Sequence, residues 1–193
     1  MLLSQETNII EYEYNICAGY IQISGTSNIN NFKLTSSLSP VNLNDSINKK
    51  TINNESPVIE LQIPIKKFRT SNPLIYKDFI KLLNAESYPF IIIGINYQTL
   101  NNIFQKSLKK YFQLEITLTG VTQRYKVAYE TSRCYDEYIF IQGLKNIKLS
   151  DFNLEPPEKL KGLIKVNNNL LINFGFLYNC NDNLNFAKIE SKY

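Results

Sequence analysis

The side chains best suited to chemistry are scarce in this chain. Its 193 residues include no histidine, which removes Ser-His and Cys-His nucleophile systems and every histidine-ligated metal. The cysteines Cys17, Cys134 and Cys180 are far apart and form no C-x-x-C pair, so neither zinc-ribbon nor thioredoxin spacing is present. They read as free thiols, with one long-range disulfide open in an oxidising compartment and no pairing favoured. Asp136 and Glu137 are adjacent, which on a strand sends them to opposite faces. Glu155 and Glu158 flank a double proline and read as a solvated loop rather than a cation site. The glycines form neither a G-x-G-x-x-G nor a P-loop array. No catalytic residue, metal or cofactor is expected, and the chain reads as a non-enzyme.

With chemistry so thin, the informative pattern is alternation. Leu114, Ile116 and Leu118 alternate with polar residues before a Gly-Val-Thr centre, and Tyr125, Val127 and Tyr129 repeat the pattern after it. A period of two is the signature of half-buried antiparallel strands joined by a short turn. Strands are likewise expected at Tyr12–Ile16, Gly19–Ser24 and Phe32–Ser36, with Asn-rich turn chemistry at Asn28 to Asn31. Residues 38 to 57, rich in Asn, Ser and Lys, read as a flexible connection. Leu61 and Ile63 lie on one face of a further strand that Pro64 places at an edge or an end.

One segment changes period. Ile75, Phe79, Leu82 and Leu83 have helical spacing, with Asn72 as N-cap, Pro73 in the first turn and Asn84 as the stop. Tyr88-Pro89 then forces an extended lead into Phe90–Ile95. Residues 100 to 111 suit either a helix or a hairpin tip. Strands follow at Tyr138–Gly143 and Ile147–Leu149, then a loop through Pro156-Pro157. A hairpin is expected last, from Gly162–Val166 through Asn167–Asn169 to Leu170–Phe176. Many strands around one short helix, without β-α-β alternation, predict an antiparallel all-β barrel or sandwich.

The bulk numbers agree with one domain. The chain is 44% hydrophobic and 12% aromatic, enough for a substantial core. A net charge of +4, with lysines paired at most, lacks the dense patch of a nucleic-acid binder. No run approaches the roughly 18 apolar residues of a membrane-spanning helix. Met1–Gln5 has neither a basic start nor a full apolar stretch, and it is expected to be the remnant of a signal peptide. Residues 6–180 are taken as the domain and 181–193 as a tail. A barrel of about eight strands either fills its interior with side chains or holds one apolar ligand. Periodicity alone favours the filled interior.

Four segments, read in order, resemble the YceI-like family. Ile23-Ser24-Gly25-Thr26-Ser27-Asn28-Ile29-Asn30-Asn31-Phe32 resembles its early strand-turn hairpin. The helix leading into Ala85-Glu86-Ser87-Tyr88-Pro89-Phe90-Ile91 is similar to its helix and "A-E-x-(Y/F)-P-x-I" run. Leu118-Thr119-Gly120-Val121-Thr122 resembles its "L-x-G-V-T" turn. Lys148–Phe152, Pro156-Pro157 and Gly162–Val166 complete the series. The resemblance covers roughly residues 20 to 176. It implies a lipocalin-like barrel with one short helix near its mouth, export to the periplasm or outside the cell, and in some members a bound polyisoprenoid such as a quinone. One departure stands out: Asn28-Ile29-Asn30 occupies a region where many members carry histidine.

Together these readings lead to an expected binding protein that encloses a long apolar, isoprenoid- or lipid-like ligand. The expected lining is Leu61, Ile63, Phe90, Ile92, Leu114, Ile116, Leu118, Phe140, Ile172 and Phe174. Tyr125 and Tyr129 would offer hydroxyls to a head group, and Phe79 a lid contact from the helix. The alternative is a packed barrel serving as an envelope-structural or protein-interaction module, with Tyr12, Tyr14 and Tyr138 as its contact surface.

Overall fold

The computed structural model describes residues 16–38, 47–50, 58–96, 111–135, 138–159 and 162–179. Ten strands are described: β1 (Ile16–Ser27), β2 (Asn31–Leu38), β3 (Ile47–Lys50), β4 (Val58–Pro64), β5 (Phe90–Asn96), β6 (Tyr111–Leu118), β7 (Val121–Tyr135), β8 (Tyr138–Lys148), β9 (Glu158–Lys159) and β10 (Ile164–Asn179). Helix α1 spans Pro73–Leu82, and two 3-10 turns span Ile65–Lys67 and Leu149–Phe152. The architecture is the expected antiparallel one. Its strands run in the order β2-β1-β10-β8-β7-β6-β5-β4-β3, with β9 beside β10.

The sheet curls until its first strand meets the chain beyond β4. Thr35 of β2 and Arg69 exchange both backbone hydrogen bonds, at 2.9 and 2.8 Å. That bridge draws the seam of the half-barrel together without a full ladder. Alternation decides which side is inside. Ile21, Ile23, Leu34, Leu61, Ile63, Leu114, Ile116, Val127, Ile172 and Phe174 are all buried in one core, as a period-two pattern with one apolar face requires.

The β6–β7 hairpin turns at Thr119-Gly120, one residue earlier than its Gly-Val-Thr centre suggests. Both turn residues have positive φ, 48° and 80°, and Leu118 pairs with Val121. Two such residues give the twist that matches right-handed strands, and glycine takes the second place at little cost. Helix α1 begins as its residues predict. The Asn72 side chain accepts from the Leu74 amide at 2.9 Å, and Asn84 is left-handed just past the end, at φ 44°.

Three sequence expectations need correction. The expected connection 38–57 contains strand β3, which pairs with β4 from Ile47↔Leu61 to Lys50↔Val58. Strands expected at 138–143 and 147–149 are one strand, β8. The expected hairpin at Asn167–Asn169 is absent, and β10 runs straight through it. There the register against β1 moves from Gly25↔Leu170 to Ser27↔Val166, so two steps on β1 oppose four on β10. The Asn167 side chain accepts from the Asn169 amide at 2.9 Å. The asparagines thus make the local bonds of a turn inside a bulge, while pairing on both sides keeps the chain in line. Tyr12, Tyr14, residues 100–110, and the side chains of Tyr138, Cys17, Cys134 and Cys180 lie outside the described residues.

Candidate functional site

All connections Asn28–Asn30, Ile65–Pro89, Thr119-Gly120 and Leu149–Leu163 fall at one end of the barrel, because each joins the matching ends of antiparallel strands. Helix α1 lies across that end. Its Ile75, Phe79, Leu82 and Leu83 face inward at i, i+4, i+7 and i+8 spacing, and they meet the inner face of the sheet. Phe79 is wedged against Phe68, with ring centroids 5.2 Å apart.

Between helix and sheet lies an apolar cavity of about 70 Å³. Its walls include Ile21, Ile23, Leu34, Ile93, Ile116, Leu118 and Ile172, roofed by Ile75 and Phe79. A second, open groove of about 950 Å³ adjoins it at the mouth. Phe32, Ile75, Asp78, Pro157, Val166 and Leu170 line both spaces and so form the throat between them. Around the groove are Ser24, Thr26, Asn30, Asn31 and Ser71, mixed with Ile29, Leu74 and Leu171. The arrangement offers dispersion and exclusion of water within, and hydrogen bonding at the opening.

The structure divides the residues proposed from sequence. Ile116, Leu118, Ile172 and Phe79 line the cavity. Leu61, Ile63, Leu114 and Phe174 are buried in the same core but do not border that space. Phe90 and Ile92 are on the other face of β5 from the buried Ile91, Ile93 and Ile95, and Phe90 is 38% exposed. Four apolar residues in a row carry no phase, so strand register decided this: Leu61 pairs with Ile93 and Ile63 with Ile91. Phe140 is also on the outer face, opposite the buried Ile141. Its ring and that of Tyr20 cover Gly175, where a Cβ would come within 2.5 Å of either.

Tyr125 and Tyr129 face inward on β7 without bordering the cavity. The Tyr125 hydroxyl donates to Asp151 Oδ2 at 3.0 Å, and its ring lies 6.2 Å from that of Phe152. Burial, then the hydrogen bond and charge of Asp151, hold the Tyr125 phenol above its usual range. Burial alone raises Tyr129, which packs edge-on against Phe112 at 5.5 Å. Together with Gln123 Nε2 donating to the Asp151 carbonyl at 2.6 Å, the Tyr125 contact clasps the second 3-10 turn onto β7. Lys145 Nζ closes the same region by donating to the Lys126 carbonyl at 3.1 Å. This occurs where the β7–β8 ladder ends at Ala128↔Leu144.

Sequence reasoning missed Ile21, Ile23, Leu34 and Ile93 in the wall, and Ile75 in the roof. Alternation around Gly19–Ser24 and Phe32–Ser36 carried the first three. It also missed Ser36, a hydroxyl buried to 1% exposure whose Oγ has no hydrogen-bond partner among the described residues. Glu158 of the expected loop pairs with Lys165 at 3.1 Å.

The curled sheet, the capping helix and the shared throat define a class: an antiparallel half-barrel of the YceI-like fold. The chain is similar to BcnA of Burkholderia cenocepacia, with a TM-score of 0.56, 11% identity, and coverage of 82% of this chain and 95% of that one. It is equally similar to a polyisoprenoid binding domain from Saccharophagus degradans implicated in plant cell wall breakdown, with a TM-score of 0.56 and 12% identity. That match covers 88% of this chain and 99% of the other. A YceI protein of Campylobacter jejuni matches at TM-score 0.48 and 16% identity, over 69% of this chain and 80% of that one. No family model and no curated relative matches the sequence. At these identities the first two likenesses establish a fold.

Proposed function

We propose that this protein is a non-enzymatic carrier that takes the chain of a long apolar ligand, isoprenoid- or lipid-like, between its sheet and helix α1. The observation that carries this reading is the apolar cavity beneath α1, joined by a throat to an open groove. A space walled mainly by Ile, Leu and Phe side chains favours apolar matter. At about 70 Å³ it holds a small part of such a chain, so uptake requires α1 to move outward and Phe79 to leave Phe68. The helix meets the sheet through side chains with no ladder hydrogen bonds, which makes it the element able to do so. The polyisoprenoid ligand class of the Saccharophagus domain supports the choice of an isoprenoid. A periplasmic or extracellular location belongs to the same proposal; no described helix is long and apolar enough to cross a membrane.

Native mass spectrometry and solvent extraction of protein from its native cell test the reading, followed by loading with a C20 prenol. A bound or loadable lipid is expected. Protein that carries none and takes up none would sink it. The packed-barrel alternative draws on a separate observation, the interior filled by Phe112, Phe174 and Phe176. An interaction module would leave the cavity unchanged in the presence of prenol.

A further inference from the structure

The large side chains left exposed are not spread evenly. Eight are exposed among the described residues, and six of them, Ile29, Leu74, Tyr88, Phe90, Leu163 and Leu171, belong to the mouth end or line its groove. The three most exposed are neighbours around the opening. Ile29 (58%) is at the tip of the β1–β2 turn, and Leu163 (72%) leads into β10. Asn28 ties these two turns together, donating from Nδ2 to the Leu163 carbonyl at 2.7 Å and accepting from the Lys165 amide at 3.0 Å. Leu74 (62%) stands in the first turn of α1, across the same groove from Ile29. None of the three has any part in the core. On the β2–α1 side the exposed Lys33, Lys66 and Arg69 form a basic collar, with Lys33 on the groove wall and Arg69 Nη1 donating to the Lys66 carbonyl at 2.8 Å.

We infer that the mouth end is a docking surface for an anionic phospholipid bilayer, with Ile29, Leu74 and Leu163 entering the interface and the collar meeting lipid phosphates. The inference rests on the carrier reading and extends it. Each added methylene lowers the partition of a chain into water about fourfold, so a long-chain ligand resides in a membrane. A carrier for it gains by presenting its throat there. Apolar tips flanked by lysine and arginine are the composition that seats a surface in the headgroup region. The throat residues Phe32 and Leu170 are continuous with this rim, so a docked protein has an apolar path from bilayer to cavity. The tyrosine at position 88, 42% exposed, suits the interfacial layer as well.

The test is sedimentation of the full chain with phosphatidylcholine vesicles with and without phosphatidylglycerol. Wild type is expected to partition onto the anionic vesicles, more weakly as salt rises. The double variant Leu74→Gln with Leu163→Gln should lose partitioning about tenfold or more. Leu144→Gln removes another well-exposed leucine (55%) from the outer wall of β8 and should leave partitioning unchanged. All of these side chains are exposed, so the melting temperatures of the variants should stay near wild type. Absence of vesicle binding, or an equal loss in Leu144→Gln, overturns the inference. Uptake of dispersed prenol by a protein that ignores vesicles would reject docking alone. Vesicle binding without any loading would support docking and reject the carrier reading.

Discussion

Single side chains here act mainly by whether their polar atoms find partners. Ser36 places a hydroxyl in the core with no partner among the described residues. An unsatisfied buried group costs about 1–3 kcal/mol. Ser36→Ala is therefore expected to raise stability by about 1 kcal/mol in urea unfolding, and a loss of stability would show that the hydroxyl is bonded. Tyr125 is the opposite case, since its hydroxyl is committed to Asp151. Its ionisation is pushed up by burial and by that carboxylate, so the fold prefers the neutral phenol. The unfolded chain ionises from about pH 10. The stabilisation is present below that pH and falls as pH rises toward the folded value. Tyr125→Phe should cost about 1 kcal/mol at neutral pH and flatten the alkaline decline of the melting temperature, leaving the smaller share due to Tyr129. An unchanged alkaline slope would mean that Tyr125 is not the group responsible.

Among the elements, α1 has the most to do and the least to hold it. Its start depends on the Asn72 cap and its seat on Phe79. Asn72→Ala should destabilise by about 1 kcal/mol, with the loss concentrated in faster amide exchange across Leu74–Phe79 rather than in the strands. Exchange that rises equally in β5 and β6 would show that α1 does not open by itself. The helix was legible because its N-cap, proline and apolar spacing are local signals. So was the β6–β7 hairpin. By contrast the sequence of β10 reads as two strands, because Asn167–Asn169 has turn chemistry that only the neighbouring strands override. Phe90 and Ile92 read as interior residues for a similar reason: the run Phe90–Ile93 is apolar on both faces, and register with β4 selects one.

For the whole molecule, a ligand that binds the folded state alone stabilises it by mass action. A prenol at a hundredfold excess over its Kd should raise the melting temperature by about 5–10 °C. Calorimetry that finds no shift at saturating prenol would count against a carrier. The sequence by itself determined an antiparallel β architecture and one capped helix, because strand alternation and N-capping are properties of neighbouring residues. Only the tertiary structure decided which face of each strand is inside. It alone brought Ile21, Ile93 and Ile116 to one cavity and gathered Ile29, Leu74 and Leu163 around one mouth. Those relations join residues tens of positions apart, and they follow from register and curl, which a local pattern does not encode.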